Sequence, residues 1–425
     1  MTSPVRMQDS LAPAQSRRAQ RPDNGRTSNC TAYGLQQFTR PVRALSATLS
    51  ATLGTTLTTT LSAALCIGVF AVTTLGASSV HAQTSRPKQV AQQSTEFEEE
   101  VVPQRYAANP DVDAFINDVV ARDGFNRAEL QKIFSRVVFS QTAARLAAPP
   151  ATPGQKNWTN YEKRFLDNTR INGGVRFWNQ NADTLARAAK QYGVPEEIIV
   201  AIIGVETIYG RNMGNFRTID ALTTLAFDYP PARNRSERMA LFRNELENLL
   251  LYARERAVDP FSIYGSYAGA IGIPQFMPSS IRNYAVDYTG DGKINLTTDV
   301  ADAIGSVANF LKQHGWQPGQ PVVWNIANDR GSQGLAEAGA DGQPEPHWKL
   351  SDFIKAGMLM NEPRLDVGAK LDTPVLIVDL PTPGQATQYR MGLNNFYVLT
   401  RYNRSFFYAM SVYDLADAIK AARAP

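Results

Sequence analysis

Residues 198–210, Ile-Ile-Val-Ala-Ile-Ile-Gly-Val-Glu-Thr-Ile-Tyr-Gly, decide how this chain folds. Pro195, just upstream, is a good first residue for a helix, and Gly210 is a good residue for a helix end. The stretch therefore predicts one helix over residues 195–209. Because its residues are apolar nearly all round, we expect this helix to be buried in a core.

Glu206 is the one charged residue in that stretch. It shares a helix face with Ile199, Ile202 and Ile203. A lone carboxylate in such a place is costly to ionise, and the negative helix end adds to the cost, so we expect a raised pKa. A carboxylic acid that stays protonated near neutral pH can act as a general acid. The alternative is a structural Glu206 held by an arginine elsewhere in the core.

The charge of the chain is unevenly distributed. The 425 residues carry a formal charge of +4. Residues 1–82 hold seven arginines against two acidic residues, so the remainder is close to neutral. The residues after 82 therefore lack the excess of positive charge that is typical of a nucleic-acid-binding protein.

Residues 1–82 have the features of a secretory leader. An arginine-bearing region precedes the apolar residues 61–75, and small residues follow up to Ala82. This order predicts a signal that is cleaved after Ala82 and a periplasmic protein. A retained membrane anchor is the alternative. Lipid attachment at Cys66 is disfavoured because Leu65 is a poor residue just before a lipidated cysteine.

Cysteine and histidine are scarce beyond the leader. Both cysteines, Cys30 and Cys66, lie within it, and only His314 and His347 follow it. This composition argues against disulfides, thiol chemistry, a histidine-based triad and a zinc site in the mature protein.

The periodicity of the remaining chain is mainly helical, with short β-like runs after about residue 320. The predicted helices are 111–123, 127–139, 161–172, 182–192, 236–255, 300–313 and 408–421. The β-like runs are Val375–Asp379 and Phe396–Thr400.

The segment Gly265–Ser280 is rich in small residues, which allow tight turns and close backbone approach. We expect Ser266, Gln275 and Met277 in this segment to line a groove for a polar, extended ligand. A tight junction between helices is the alternative.

The segment Asp287–Thr298 resembles an EF-hand loop. Its calcium donors by position are Asp287, Thr289, Asp291, the Lys293 carbonyl and Asn295, with Gly292 at the sharp turn. Position 12 is Thr298 in place of the bidentate glutamate, so we expect weak binding. An uncharged β-turn is the alternative.

Aromatic residues and an asparagine cluster near the C-terminus. Tyr402, Asn403 and Tyr408 combine apolar rings with polar groups, which suits sugar rings. Core packing is the alternative explanation of such a cluster.

Taken together, these motifs resemble the lytic murein transglycosylase B family from about Phe115 to the C-terminus. The matching motifs are the Gly-Val-Glu-Thr segment at Glu206, residues 265–280, the Asp-Gly-Lys-Ile-Asn-Leu loop, residues 302–309 and Thr400–Asn403. The resemblance implies cleavage of the β-1,4 bond between N-acetylmuramic acid and N-acetylglucosamine in peptidoglycan. It also implies a product that ends in 1,6-anhydro-N-acetylmuramic acid.

The resemblance also implies roles for single residues. Glu206 is the single catalytic acid and base, and Ser266 positions it together with the substrate's N-acetyl group. Asp302 is the last calcium ligand. The implied substrate-contacting residues are Tyr161, Gln275, Met277, Tyr402, Asn403 and Tyr408.

Two positions depart from the family pattern. Phe310 replaces a tyrosine, and the segment 231–235, Pro-Ala-Arg-Asn-Arg, replaces paired arginines. The first change removes a hydroxyl, and the second puts contacts to the peptide stem in doubt.

We therefore expect a mainly α-helical enzyme with a lysozyme-like catalytic core and a small β-containing subdomain. The expected segments are a leader (1–82), a flexible tether (83–108), a helical core (109–320) with its loop at 287–302, a mixed β subdomain (321–400) and a C-terminal segment that completes the groove (401–425). We expect structural calcium and no organic cofactor.

The expected partner is the peptidoglycan glycan strand, with other cell-wall enzymes as possible partners and no nucleic acid, and we expect a monomer. The alternatives are a hydrolytic muramidase similar to goose-type lysozyme and a non-catalytic peptidoglycan-binding protein. A calcium sensor is a weaker third.

Overall fold

The computed structural model describes residues 104–149, 154–361 and 370–424. The helices are α1 (Pro110–Asp123), α2 (Arg127–Phe134), α3 (Gln141–Ala147), α4 (Trp158–Glu162), α5 (Asn168–Gln180), α6 (Ala182–Tyr192), α7 (Glu196–Thr207), α8 (Thr218–Phe227), α9 (Arg235–Arg256), α10 (Pro278–Tyr284), α11 (Val300–Gln313), α12 (Arg330–Gly339), α13 (Leu350–Lys355), α14 (Asn394–Tyr402) and α15 (Phe406–Arg423). The strands are β1 (Phe216–Arg217), β2 (Tyr264–Gly265), β3 (Val323–Asn325), β4 (Trp348–Lys349), β5 (Pro374–Leu380) and β6 (Gln388–Gly392). The predicted leader lies outside the described residues. Within the described ranges, no helix is long and apolar enough to cross a membrane.

Helix α7 is the centre of the larger hydrophobic core. Every residue from Ile198 to Val205 is buried, as the apolar sequence predicted. Helices α5, α6, α11 and α15 pack around it. The helix ends two residues earlier than expected because Ile208 adopts a left-handed conformation with φ 51°.

Helix α15 returns the C-terminus of the chain to the core beside α7. Lys420 on α15 pairs with Glu197 at 2.6 Å. Gly174 on α5 permits the close approach of α5 and α15, since a Cβ there would lie 2.5 Å from the side chain of Ile419. Residues more than 200 positions apart in sequence therefore share one core.

The four-stranded sheet has the order β3-β6-β5-β4, and its neighbouring strands are antiparallel. Alternate residues of β5 point to opposite faces. Leu376, Val378 and Leu380 join the larger core around α7. Val375 and Ile377 join a smaller cluster under α12 and α13. The sheet is thus packed on both faces.

The prediction of a β-like run at Phe396–Thr400 is wrong, because these residues lie within α14. Aromatic and β-branched residues suggested a strand. Phe396, Leu399 and Thr400 are buried at helical spacing, so the burial of one helix face overrides that preference.

Two predicted helices differ from the observed helices by more than two residues at an end. The helix that begins at Arg127 ends at Phe134, five residues early. The helix predicted over 161–172 is divided into α4 and α5, because the Asp167 side chain accepts a hydrogen bond from the Arg170 amide and starts a new helix there.

The end of the predicted tether is packed. Tyr106 is buried, and its hydroxyl donates to Asp228 at 2.8 Å. Arg105 pairs with the same carboxylate. The prediction of a flexible tether up to residue 108 is therefore wrong for these last residues. Residues 83–103 lie outside the described part.

Candidate active site

Glu206 lies near the C-terminal end of α7, where its carboxylate oxygen Oε1 accepts a hydrogen bond from the Tyr408 hydroxyl at 2.7 Å. Burial raises the pKa of Glu206 to about 7, and the bond from Tyr408 lowers it in part. The alternative of a core ion pair is wrong: among the described residues no lysine or arginine pairs with Glu206. The carboxyl group is therefore half-buried beside a neutral partner.

The end of α7 is fixed by residues for which the sequence predicted no role. The Thr207 hydroxyl donates to the Ile273 carbonyl at 2.8 Å and accepts from the Gly210 amide at 2.9 Å. Ile208 and Tyr209 both have a positive φ, which is uncommon for such side chains. The Tyr209 hydroxyl donates to the Arg170 carbonyl at 2.7 Å. This arrangement holds Glu206 in position.

Ser266 lies in a tight turn beside the loop that follows Glu206. Its hydroxyl accepts a hydrogen bond from the Ala270 amide at 3.0 Å. A Cβ on Gly214 would lie 2.2 Å from the Gly265 carbonyl oxygen, so the two loops approach as closely as glycine permits. The structure thus brings the predicted Ser266 segment against the chain that continues from Glu206.

Gln275 and Met277 are partly buried in the same region. The Gln275 side-chain nitrogen donates to the carbonyls of Met213 and Gly272 at 3.1 and 2.9 Å. These bonds fix its orientation, and Met213 belongs to the loop after Glu206. Gln275 also has φ 51°, so its backbone is held in an uncommon conformation.

Three of the predicted tyrosines surround Glu206. Tyr402 and Tyr408 stack with their ring centroids 6.3 Å apart, and the Tyr402 hydroxyl donates to the Pro274 carbonyl at 2.6 Å. Burial, and then the charge of Glu206, raise the pKa of Tyr161, Tyr402 and Tyr408. The electrostatic effect on all three pKa values indicates that they lie near the carboxyl group.

The wall of this site extends through residues that the sequence analysis missed. Phe407 packs against Trp158 and Tyr161, with both centroid distances 5.4 Å. In the sequence, the features that indicate this wall are the Trp-Thr-Asn-Tyr segment at 158–161 and the aromatic run at 406–408. Asn403, by contrast, is exposed at the end of α14. Phe310, the departure from the family pattern, packs against Tyr402 at 4.9 Å.

The two acidic residues that follow Glu206 in sequence have structural partners. The Asp220 carboxylate accepts from the Val138 amide at 3.0 Å and pairs with Arg217. Asp228 binds Arg105 and Tyr106. Neither residue is therefore placed as a second catalytic carboxylate.

The EF-hand-like loop is formed, with Gly292 at φ 85°. The Asp287 carboxylate accepts from the Gly290 and Gly292 amides at 2.6 and 2.7 Å. Asp302 is buried and accepts from the Tyr288 and Asn295 amides at 2.7 and 2.8 Å.

The donors of this loop are all oxygen atoms, which suits calcium, and its turn is of the required kind. However, the described residues contain no group of three or more acidic, histidine or cysteine side chains gathered for a metal. The Thr289 hydroxyl nevertheless lies 3.2 Å from Asp287 Oδ1 and 3.5 Å from Asp302 Oδ1, so these three predicted ligands are near one another. Backbone amides occupy the carboxylates of Asp287 and Asp302.

Known proteins are similar in sequence to most of this chain. The family model for the transglycosylase SLT domain matches residues 107–417. The membrane-bound lytic murein transglycosylase B of Escherichia coli (strain K12) is 42% identical over 330 residues, which cover 75% of this chain and 85% of that protein. The chain belongs to the transglycosylase SLT domain family.

Solved structures agree with this assignment. The soluble lytic transglycosylase SltB1 from Pseudomonas aeruginosa is 45% identical, with a TM-score of 0.65, and the match covers 74% of this chain and 99% of that chain. The Escherichia coli lytic transglycosylase Slt35 in complex with calcium is 42% identical, with a TM-score of 0.64, over 75% of this chain and 95% of that chain. The predicted family, the mainly helical lysozyme-like fold and the enzyme class, a peptidoglycan lytic transglycosylase, are confirmed.

The raised pKa of Glu206 predicts that the free energy of unfolding decreases as the pH rises. Below its ordinary pKa of 4.5 the carboxyl group is protonated in both the folded and unfolded states. As the pH rises to about 7, the unfolded state ionises more readily, so the folded state loses up to about 3 kcal/mol. We expect Glu206→Gln, which cannot ionise, to be more stable than the wild type at pH 8 and to lie within about 0.5 kcal/mol of it at pH 4.5.

Urea unfolding at both pH values measures this difference. Glu237→Gln, at an exposed position of α9, is the matched control and should show no such dependence. Equal stabilities of wild type and Glu206→Gln at pH 8 would show that the carboxyl group is not desolvated.

Proposed function

We propose that Glu206 is the catalytic residue of this lytic transglycosylase and that it acts alone, first as acid and then as base. The observation that carries the proposal is a carboxyl group with a pKa of about 7 bonded to the Tyr408 hydroxyl, with no cationic partner among the described residues. A substantial fraction is then protonated near neutral pH, as a general acid requires.

In the proposed reaction, Glu206 donates its proton to the glycosidic oxygen while the bond from that oxygen to C1 of N-acetylmuramic acid breaks. The N-acetyl group of the same sugar stabilises the cationic centre. The sugar's own 6-hydroxyl then forms a bond to C1, and Glu206 takes the proton of that hydroxyl. No water is consumed, the sugar ends as the 1,6-anhydro form, and Glu206 is protonated again.

Tyr408 has a distinct role in this proposal. Because its hydroxyl donates to Oε1, the transferable proton belongs on the other oxygen, Oε2, of Glu206. The same bond stabilises the charged carboxylate between the two proton transfers. Tyr408 therefore selects the reacting oxygen and limits the rise in pKa.

We assign substrate contacts to the residues around this carboxyl group. Tyr161 and Tyr402 offer ring faces, and the fixed side chain of Gln275 offers its carbonyl oxygen. Ser266, Met277 and Asn403 are proposed to complete the groove. A relative, SltB3 from Pseudomonas aeruginosa, was solved in complex with NAG-NAM-pentapeptide; it is 28% identical over 72% of this chain and 78% of its own, with a TM-score of 0.61. We propose peptidoglycan strands as the ligand of this chain, which acts as a monomer.

We further propose that the 287–302 loop binds calcium weakly. Asp287, Thr289, Asp291, the Lys293 carbonyl and Asp302 would hold the ion, and the complex of Slt35 with calcium supports this assignment. The ion would stabilise the loop and take no part in the chemistry.

The proposed location is the periplasm, after cleavage of the leader behind Ala82. The name of the E. coli relative describes that protein as membrane-bound. We also propose that the helical core ends at about residue 320 and that the mixed β subdomain ends at about residue 400.

Glu206→Gln should lower cleavage of purified sacculi by about 10²–10⁴-fold, the range for removal of a general acid or base. Analysis of the muropeptides measures this, and the wild type should release anhydro ends. Glu237→Gln is the control and should retain activity. Reducing ends without anhydro ends would favour hydrolytic muramidase chemistry, and full activity of Glu206→Gln would remove Glu206 from the mechanism.

Tyr408→Phe should shift the pH profile of kcat/KM. The acid must be protonated, so wild-type activity should fall as the pH rises through about 7. Removal of the Tyr408 hydroxyl bond raises the Glu206 pKa further, so the alkaline limb should move to higher pH. Tyr252→Phe, on α9, is the matched control. A limb that moves to lower pH in Tyr408→Phe contradicts the proposed role.

Calcium should raise the melting temperature. With a Kd of about 1 mM, 10 mM calcium stabilises by about 1.4 kcal/mol, which corresponds to a few degrees. Asp291→Asn should abolish the shift, and magnesium should not reproduce it. An unchanged melting temperature of the wild type would show that the loop is a plain turn.

A further inference from the structure

A cavity of about 550 Å³ lies where α14 meets α15. Its lining includes Lys156, Arg401, Arg404, Asp379, Phe406 and Phe407. The volume is within the range of ligand pockets.

The lining of this cavity carries more positive than negative charge. Lys156, Arg401 and Arg404 face one carboxylate, that of Asp379. Across residues 104–149, 154–361 and 370–424, none of these three cations forms an ion pair, whereas Arg170 does. A concave surface with unpaired cations concentrates anions.

The cavity lies one layer of side chains from the catalytic carboxyl group. Phe407 belongs to the cavity lining and also packs against Tyr161 at 5.4 Å. The next residue, Tyr408, donates to Glu206. Phe407 is therefore shared by the wall of the sugar site and the lining of the cationic cavity.

We infer that this cavity binds the carboxylate-bearing peptide stem of peptidoglycan, an inference that rests on the proposed function of Glu206. The hydroxyl and N-acetyl groups of the glycan are uncharged, whereas the peptide stem carries free carboxylates. Arg401 and Arg404 offer guanidinium groups, which bind carboxylates in a bidentate manner. Asp379 suits an amino group of the same peptide.

The test compares two substrates with the double variant R401Q/R404Q. One substrate is purified glycan with intact peptide stems, and the other is the same glycan after removal of the stems by an amidase. On stem-bearing glycan we expect KM to rise about fivefold or more, since an exposed charge pair contributes about two- to fivefold. We expect kcat to stay within about twofold, and KM on stem-free glycan to stay unchanged.

The double variant K132Q/K312Q is the matched control. Lys132 and Lys312 are exposed on α2 and α11, so this variant loses the same charge away from the cavity. It should behave as the wild type on both substrates. An equal rise of KM in both double variants would show a general effect of net charge and overturn the inference.

Two further outcomes of the substrate comparison would contradict the peptide site or the proposed function. An equal loss of R401Q/R404Q on both substrates would indicate a contact to the glycan and contradict a peptide site. Failure of the wild type to cleave either substrate would count against the proposed function itself.

A second measurement needs no variant. A free stem tetrapeptide should inhibit cleavage of stem-bearing glycan by the wild type, and its fully amidated form should inhibit at least fivefold less. Equal inhibition by both forms would overturn the role of the cations even if R401Q/R404Q fails to fold.

Discussion

The site depends on one constraint, that the carboxyl group of Glu206 is desolvated without a cationic partner. Burial raises its pKa and the neutral hydroxyl of Tyr408 offsets part of that rise, so the pKa lies at about 7. A lysine or arginine in place of Tyr408 would stabilise the charged form and remove the acid. The apolar helix α7 supplies the desolvation, and α15 supplies a partner that does not neutralise the charge.

The same constraint explains how the end of α7 is built. A carboxyl group that is costly to ionise can serve as an acid near a helix end only if that end is rigid. A frayed turn would let water reach the group and remove the cost of its ionisation. Thr207 joins the helix end to Ile273, and the Tyr209 ring fills a space bounded by glycines. A Cβ on Gly204 would lie 2.5 Å from the Tyr209 hydroxyl. The residues after Glu206 therefore serve its position as much as they serve the fold.

The sequence predicted Glu206 and its raised pKa because both follow from local facts, an apolar run and one acid within it. It could not show that Tyr408 is the hydrogen-bond partner, since that contact joins residues 202 positions apart. The resemblance to the family implied that Tyr408 contacts the substrate, but it did not indicate the hydrogen bond to Glu206.

Local composition misled at Phe396–Thr400, where burial of one helix face outweighs the preference of aromatic residues for strands. Likewise, Tyr106 follows a polar stretch and gave no sign of its bond to Asp228, which the fold alone creates. Contacts between distant elements were the part that pattern and spacing could not supply.

A raised pKa does not by itself identify the acid. Burial also raises the pKa of Asp414 to about 7, with Glu162 adding to the rise and Arg390 opposing it. Asp414 has charged neighbours, whereas the carboxyl group of Glu206 lies among tyrosines. A sugar ring can stack on tyrosine faces and cannot do so on charged side chains.

The chemistry therefore follows from the neighbours of the carboxyl group, and these are set by the first turn of α15. Phe407 and Tyr408 are consecutive, and they direct one ring to the cationic cavity and one hydroxyl to Glu206. A shift of that turn would move both. The proposed peptide site and the proton donor are thus held in one rigid unit, so correct seating of the stem and correct placement of the acid depend on the same packing.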